Sequence, residues 1–196
     1  MVETRRQQIE DAASVLFRER GYSATSVRDI AQVLNLQGGS LYAHVASKED
    51  VLWSIVLRAA DRFDSIVRPI AEAPYLPAPE RLRRMVRAHA RVVTDDLGNA
   101  TVFLHEWRFL GDARRAEVAL RRDDYEALFR TVIADGSATG ELDGADPKLA
   151  ATLILSALNG IAGWYRPDGP LTAEAIAHQY ADLFTRALSP TGGVDR

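Results

Sequence analysis

Apolar residues recur at helical spacing in nearly every segment of this 196-residue chain, whereas no segment of useful length alternates polar and apolar residues as a half-buried strand does. The clearest stripe opens the chain at the i, i+3, i+4, i+7 and i+8 positions, occupied by Ile9, Ala12, Ala13, Leu16 and Phe17. The pattern therefore predicts an all-α fold of about nine helices.

Residues that begin and end helices stand between these stripes. Ser26 with Asp29, and Ser47 with Asp50, match the capping box in which a serine and an acidic residue three positions later satisfy each other's backbone amides. Asp146 precedes a proline and reads as an N-cap, as does Thr172. Start and stop signals of this kind favour separate helices connected by short turns.

The predicted helices differ in length along the chain. The first three are short, with the third at Leu36 to Val45, and a long helix follows from Ser47 to about Ile66. A loop is predicted after it by the prolines at positions 69, 74, 77 and 79. Helical patterns return at about 80–95, 98–110 and 112–135. We expect a further interruption of helical structure at the glycines of positions 136, 140 and 144. This asymmetry predicts a small helical domain at 1–46 and a larger helical bundle at 47–196.

Composition excludes several classes of function. The chain contains no cysteine, so it has no disulfide framework, thiolate zinc site, iron–sulfur cluster or cysteine nucleophile. Its four histidines lack metalloprotease spacing, and no phosphate-binding loop, nucleophile elbow or dinucleotide fingerprint is present. We therefore expect neither an enzyme nor a cofactor or metal site. The uncharged stretch from Leu149 to Tyr165 is short for a membrane span, and we expect a cytoplasmic protein.

Residues 26–45 carry the strongest functional signal. Two short helices joined by a tight turn, braced by a preceding helix, make a helix-turn-helix, and its second helix fits the major groove of DNA. In that helix Gln37 and Ser40 can reach base edges, while Tyr42 and His44 can reach phosphates. Lys48 stands at the start of the next helix, where the helix dipole already favours an anion. A helical pair that only packs on its neighbours is the alternative interpretation of this shape.

The stretch GYSATSVRDIAQVLNLQGGSLYAHVASKEDVL closely resembles the DNA-binding signature of the TetR family of bacterial transcriptional regulators. The matching positions are Phe17, Gly21, Tyr22, Thr25, Val27, Ile30, Ala31, Leu41, Tyr42, His44, Lys48 and Leu52. Asn35 stands where the family usually has glycine, and Val45 where phenylalanine is more frequent. The turn is still feasible, because asparagine tolerates the left-handed backbone conformation.

The resemblance implies roles for individual residues. Phosphate contacts are implied for Thr25, Ser26, Tyr42, His44 and Lys48. Positions nearest the base edges are implied for Arg28, Gln37, Gly38 and Ser40. Gly38 offers no side chain, so sequence readout would depend on its neighbours and on DNA shape.

The C-terminal half predicts a dimer and an effector site. One recognition helix makes few base contacts, so we expect a homodimer that binds two half-sites. The apolar stripes of the last two helices are expected to form the dimer interface. The alternative is that these stripes only complete the core of the monomer. The segment GWYRPDGPLTAEAIA resembles a segment of those regulators of this family that respond to coenzyme A thioesters. A structural turn that leads onto the dimer helix is the alternative interpretation of this segment. Apolar side chains with a few polar groups would line the effector pocket, and the candidates are His105, Trp107, Arg108, Tyr125, Phe129, Asn159 and Trp164.

Together these features predict a ligand-responsive repressor that binds a palindromic operator in double-stranded DNA and is released by an acyl-CoA thioester. A regulator of the same type that senses another hydrophobic molecule, such as a drug or a free acid, is the alternative. A helical adaptor that never binds DNA is a more distant rival, and it predicts no salt-sensitive DNA affinity.

Overall fold

The computed structural model describes residues 4–36, 41–143 and 145–190, and within these ranges the chain is helical without strands. Eight α-helices lie there: α1 (Arg5–Arg20), α2 (Val27–Val33), α3 (Lys48–Ala71), α4 (Ala78–Asp95), α5 (Leu97–Thr101), α6 (Asp112–Thr139), α7 (Pro147–Trp164) and α8 (Ala173–Ala187). A π-helical turn at Val102–Glu106 and a 3-10 turn at Trp107–Phe109 follow α5. The all-α prediction is confirmed.

The chain divides into two compact units. The first consists of Met1–Asp61 and Asp96–Arg121, and the second of Arg62–Asp95 and Arg122–Arg196. Large side chains that are almost fully buried form the interior of the first unit (Phe17, Ile30, Leu41, Leu52 and Ile55) and of the second (Phe63, Leu82, Met85, Phe129 and Ile133). None of the helices in the described ranges combines the length and apolarity that a bilayer crossing requires.

The predicted helix starts are confirmed where side chains cap the backbone. Ser26 and Asp29 form the full reciprocal capping box of α2. Asp146 accepts a hydrogen bond from the Leu149 amide, and Thr172 accepts one from the Ala175 amide. Each bond satisfies one of the amides that a helix N-terminus leaves without a partner, so short polar residues define these starts.

Three predicted boundaries are wrong. Helix α3 continues through Pro69 to Ala71, because a proline in the last turn removes only one backbone hydrogen bond. Helix α6 continues through Gly136, where a β-carbon would lie 2.6 Å from Leu142 Cδ1, so packing requires the glycine there. The single helix expected over 98–110 is instead divided into α5, the π-helical turn and the 3-10 turn.

The turn after α2 has the predicted backbone. Asn35 adopts a left-handed conformation with φ of 52°. Residues 37–40, and with them most of the predicted second helix of the helix-turn-helix, lie outside the described residues. Beyond them the chain resumes at Leu41, whose carbonyl accepts hydrogen bonds from the amides of His44 and Val45. Leu41 and Val45 are both buried, and they anchor this end of the segment in the first unit.

Candidate DNA-binding and effector sites

The loop between α1 and α2 is held in the first unit by contacts to Tyr22. The Tyr22 ring meets Phe17 edge-on, with centroids 5.1 Å apart, and stacks on Phe109 at 5.5 Å. Its backbone amide donates to Glu106 Oε2 at 2.9 Å. We call Phe17, Tyr22, Lys48, Glu106 and Phe109 the Tyr22 cluster. It joins the loop before α2 to the π-helical and 3-10 turns that follow α5.

Lys48 closes this cluster from the start of α3. Its ammonium donates to the carbonyl oxygens of Tyr22 at 2.9 Å and Thr25 at 2.8 Å, and lies 4.1 Å from the centroid of the Tyr22 ring. An ammonium has three N–H donors, so two are used within the described protein and the third can meet a phosphate. Lys48 therefore fixes the loop that precedes α2, a positioning role that the sequence did not predict.

The other predicted phosphate ligands differ in accessibility. Tyr42 is 57% exposed, and His44 is exposed as well. Thr25 is buried, and its hydroxyl donates to the Gly21 carbonyl at 2.9 Å. The Ser26 hydroxyl donates to Asp29 Oδ2 at 2.6 Å. The two hydroxyls thus stabilise the start of α2 in this conformation, and their contacts to phosphate stay predictions.

Arg28, among the predicted base readers, is exposed on α2. The other three, Gln37, Gly38 and Ser40, lie outside the described residues. A capping box beneath Arg28 fixes the register of α2, and its hydrogen bonds from Ser26 hold the pKa of Asp29 below its usual value. Reading of bases by these four residues stays a prediction.

The first turn of α3 carries a second set of ionic contacts. Arg114 from α6 donates to Asp50 Oδ1 at 2.5 Å and to Glu49 Oε1 at 3.2 Å. The bond to Arg114 holds the pKa of Asp50 below its usual range. The predicted Ser47 cap is present, since its hydroxyl accepts from the Asp50 amide at 3.0 Å. Asp50 thus accepts a hydrogen bond from Arg114 through its carboxylate and donates one to Ser47 through its backbone amide.

A polar cluster lies in the aromatic interior of the second unit. His89 from α4 is 2% exposed, and its Nδ1 lies 3.0 Å from the Tyr125 hydroxyl. Phe63 faces the imidazole at a centroid distance of 4.8 Å, and Phe129 lies 6.4 Å from it. With Asn159 of α7, these side chains form what we call the His89 cluster. Tyr125, Phe129 and Asn159 were predicted to line an effector pocket, and the structure brings these three together.

Burial determines the protonation of this cluster. It lowers the pKa of His89 to about 3. A side-chain hydrogen bond with Asn159 opposes this shift, and the positive charge of Arg122 adds to it. Burial raises the pKa of Tyr125 well above its usual value, and the negative charge of Asp64 adds to the shift. At neutral pH the imidazole is therefore uncharged and the tyrosine keeps its proton. The cluster therefore consists of neutral hydrogen-bonding groups among aromatic rings.

The remaining predicted effector residues lie elsewhere. His105, Trp107 and Arg108 belong to the turns after α5 in the first unit, where Arg108 stacks over the Trp107 ring at 5.3 Å. His105 and Arg108 are exposed. Trp164, at the end of α7 in the second unit, is 44% exposed. Their contact with an effector stays a prediction.

His89 and Phe63 were not predicted as site residues. His89 occupies the apolar stripe of α4 together with Leu82, Met85, Val86 and Val93, all of them buried. A histidine in such a stripe, where every neighbour at helical spacing is apolar, was the signal available in the sequence.

A groove of about 450 Å³ also lies in the second unit, between α3 and α4. Its lining combines apolar residues with three arginines and consists of Ile66, Ile70, Arg84, Arg87, Ala88, Arg91, Val92 and Asp95. Glu174 of α8 pairs with both Arg87 and Arg91. The groove thus combines an apolar floor with guanidinium groups, two of which pair with Glu174.

Family models match both ends of the chain. Residues 9–55 match the model described as bacterial regulatory proteins, tetR family. Residues 75–188 match the model described as tetracyclin repressor-like, C-terminal domain.

Similar proteins extend the match over nearly the whole chain. The HTH-type transcriptional repressor KstR2 of Mycobacterium tuberculosis is 28% identical over 193 residues, which cover 97% of this chain and 96% of that protein. Its solved structure, described as that of a ketosteroid transcriptional regulator, superposes with a TM-score of 0.89 at 27% identity, covering 96% of this chain and 97% of that one. The fatty acid metabolism regulator of Bacillus subtilis is 24% identical over 184 residues, 92% of this chain and 94% of that protein. AibR, solved with isovaleryl coenzyme A and operator DNA, has a TM-score of 0.83 at 29% identity, covering 95% of this chain and 99% of that one.

Proposed function

Because the chain belongs to the TetR family of bacterial transcriptional regulators, we propose that it is a repressor that binds a palindromic operator as a homodimer and is released by a coenzyme A thioester. Residues 1–46 form the DNA-binding domain in this proposal, and residues 47–196 form the effector-binding and dimerisation domain. The observation that carries the effector class is the similarity to AibR, which was solved with isovaleryl coenzyme A and operator DNA.

Two features of the second unit support an effector with an acyl chain and a charged end. The aromatic rings of the His89 cluster offer an apolar interior for the acyl part. The arginines of the groove between α3 and α4 match the phosphates of coenzyme A, because guanidinium groups bind phosphate oxygens in pairs.

Exposed leucines on the last two helices support the homodimer. Leu149 and Leu153 of α7 are 71% and 65% exposed, and Leu183 of α8 is 55% exposed. A second copy that covers these side chains completes a four-helix bundle.

Leu153→Glu combined with Leu183→Glu is expected to yield monomers by light scattering after gel filtration. Leu120→Glu is the matched control, since Leu120 of α6 is 67% exposed and carries no such role. A dimer that survives the double change would refute this interface.

Release requires that the effector prefer a second arrangement of the dimer. A full switch from 1% to 99% of one state needs about 5.5 kcal/mol of differential affinity. Coupling in proteins is more often about 1–3 kcal/mol, so partial derepression is the expected outcome. In this proposal the effector acts on DNA binding through a shift of α3, because this helix begins at Lys48 of the Tyr22 cluster and contains Phe63 of the His89 cluster.

The decisive experiment titrates the protein–operator complex with thioesters. An operator is first selected from random duplexes, and fluorescence anisotropy then follows release by isovaleryl-, octanoyl- and benzoyl-coenzyme A, with the free acids as controls. Release by a thioester and not by its acid is the expected result. Release by the acids alone would favour the regulator of a different hydrophobic molecule, and DNA affinity that does not depend on salt would favour the helical adaptor.

A further inference from the structure

Two arginines connect α1 to α3 in the first compact unit. Arg58 of α3 lies 3.1 Å from Glu10 Oε2 and 2.7 Å from Asp11 Oδ1, both on α1. In the opposite direction, Arg6 of α1 donates to Glu10 Oε1 at 3.0 Å and to Ser54 Oγ of α3 at 2.6 Å. Each helix thus extends one guanidinium towards the other, and the Glu10 carboxylate lies between the two.

The centre of these contacts is shielded from water. The Glu10 side chain is 10% exposed and that of Arg58 is 30% exposed. Removing such charges from water is costly, so replacing a buried ion pair with apolar side chains of similar size is often neutral or even stabilising. The contacts between Glu10 and Arg58 therefore contribute direction more than folding stability, because charge-assisted hydrogen bonds have defined lengths and angles.

The spacing of the contacts fixes how α1 lies along α3. Arg6 and Glu10 are one helical turn apart, and so are their partners Ser54 and Arg58. A shift of α1 by one residue would move its side chains about 1.5 Å along the helix axis and about 100° around it. Both contacts would then break together, so they select one register of the two helices.

The same guanidinium reaches a third helix. Arg58 Nη2 donates to Oδ1 of the buried Asn99, in α5, at 3.3 Å. At this point α5 approaches α1 closely, since a β-carbon at Gly98 would lie 2.9 Å from Oγ of the buried Ser14. Arg58 therefore connects α3 with both α1 and α5. We call the connected side chains the Arg58 network, which consists of Arg6, Glu10, Asp11, Ser54, Arg58 and Asn99.

We infer that Arg58 is a positioning residue for operator binding, which acts by fixing α1 on α3 and α5. Helix α1 leads into the loop that precedes α2, and Phe17 in its last turn contacts the Tyr22 ring of that loop at 5.1 Å. A displaced α1 therefore displaces the start of α2, which carries the exposed Arg28. This inference rests on the operator binding proposed above, and it assigns Arg58 no contact with DNA.

The test combines Arg58→Met with Glu10→Met in the full-length protein. The two changes remove one charge of each sign, so the net charge is unchanged, and Arg6 keeps its bond to Ser54. Operator affinity, measured by fluorescence anisotropy, is expected to fall about tenfold, which corresponds to about 1.4 kcal/mol. Affinity for a random duplex and the slope of log K against log salt are expected to stay the same, because both depend on phosphate contacts. The midpoint of urea unfolding is expected to stay the same or to rise.

Arg121→Met combined with Asp61→Met is the matched control. This pair, 2.6 Å apart, connects α6 to α3 in the same unit and is exposed to solvent. Exposed ion pairs contribute little, so operator affinity is expected to stay within about twofold of the wild type. Arg58→Lys is expected to retain part of the affinity, because an ammonium keeps the charge but lacks the planar fork that reaches several acceptors.

A second pair of variants perturbs the same contact between helices without changing a charge. Gly98→Ala introduces a methyl group against Ser14 Oγ, and we expect it to weaken operator binding more than binding to a random duplex. Ser14→Ala added to Gly98→Ala removes the oxygen nearest to that methyl group, and operator affinity is then expected to recover.

The possible outcomes separate the inference from the function on which it rests. Equal operator affinity of the wild type and the variant with both methionines at 10 and 58 overturns the inference and leaves the proposed function intact. A changed salt slope would indicate that Arg58 contacts phosphate directly, and loss of affinity for both duplexes with a lower unfolding midpoint would indicate a stabilising role only; either result overturns the inference. A wild type that binds no operator more tightly than random DNA overturns the proposed function as well.

Discussion

Replacing Lys48 with alanine separates two roles that the ammonium can play. The structure shows the first role, two hydrogen bonds to the carbonyls of Tyr22 and Thr25 and a position over the Tyr22 ring. The second role, a contact to a DNA phosphate, is a prediction from the sequence. The positioning role affects folding stability at every ionic strength, whereas the phosphate contact affects the salt dependence of DNA binding.

The expected loss of stability follows from the contacts. Hydrogen bonds to a charged group contribute about 1.5–3 kcal/mol each when buried, and a cation–π contact about 0.5–1 kcal/mol. Lys48 is partly exposed, so solvent screening reduces these values. The Tyr22 carbonyl also keeps a bond from the Thr25 amide. We expect Lys48→Ala to lower the free energy of unfolding by about 2 kcal/mol, measured by urea titration with far-UV circular dichroism.

The salt dependence distinguishes the phosphate contact. Each phosphate neutralised contributes about 0.9 to the slope of log K against log salt, so a dimer that loses two contacts loses about 1.8. Between about 50 and 200 mM salt, the affinity deficit of Lys48→Ala should then shrink by about tenfold. Lys148→Ala is the matched control, since it removes the only other lysine, at the exposed start of α7. A deficit that is equal at both salt concentrations would show that Lys48 only positions the loop.

Three further predictions concern stability. Gly136→Ala should lower the free energy of unfolding by about 1–3 kcal/mol in a urea titration, because the new β-carbon would lie 2.8 Å from Ala78 Cβ; an unchanged midpoint would contradict the packing described for α6. The pKa of His89 in the folded protein, about 3, lies below its ordinary value of 6.5. As the pH falls through this interval, the free energy of unfolding of the wild type should therefore decrease by up to about 1.4 kcal/mol per pH unit relative to that of His89→Gln. Parallel pH profiles of the two proteins would refute the burial of His89 as a neutral group. The pKa of Asp29 in the folded protein lies below its ordinary value of 3.8, so its contribution to folding stability is complete above that pH and is lost as the pH falls further. Asp29→Asn should remove this acid-sensitive part of the stability, as measured by melting curves at several pH values. An identical acid response in the variant would argue against the capping box.

Local signals in the sequence were sufficient for most of the helices. Ser26, Asp146 and Thr172 cap helices as predicted, because a short polar side chain can reach the amide three residues later whatever the rest of the fold does. Asn35 adopts its left-handed conformation for an equally local reason. Gly136 was misjudged because its role is a tertiary one: its missing side chain makes room for Leu142 and Ala78.

The candidate sites were predictable only in part, since they depend on contacts between distant residues. Tyr125, Phe129 and Asn159 were named as apolar lining with a polar group, and the structure places them in one cluster, while their contact with an effector stays a prediction. The apolar stripe of α4 marks His89 as buried, but nothing local indicates that Tyr125, 36 residues later, supplies its hydrogen-bond partner. Partners at that separation emerge only when the helices pack.

The same reasoning applies to the connection between the loop that positions α2 and the turns after α5. Glu106 binds the Tyr22 amide across 84 residues of sequence, from a π-helical turn where a regular helix was expected. A π-helical turn changes which residues share a helix face, and such turns occur frequently at functional sites. His105 lies in this turn, and Trp107 and Arg108 directly follow it. The hydrogen bond from Tyr22 to Glu106 and the stacking of Phe109 on Tyr22 connect this turn to the loop before α2 within one compact unit.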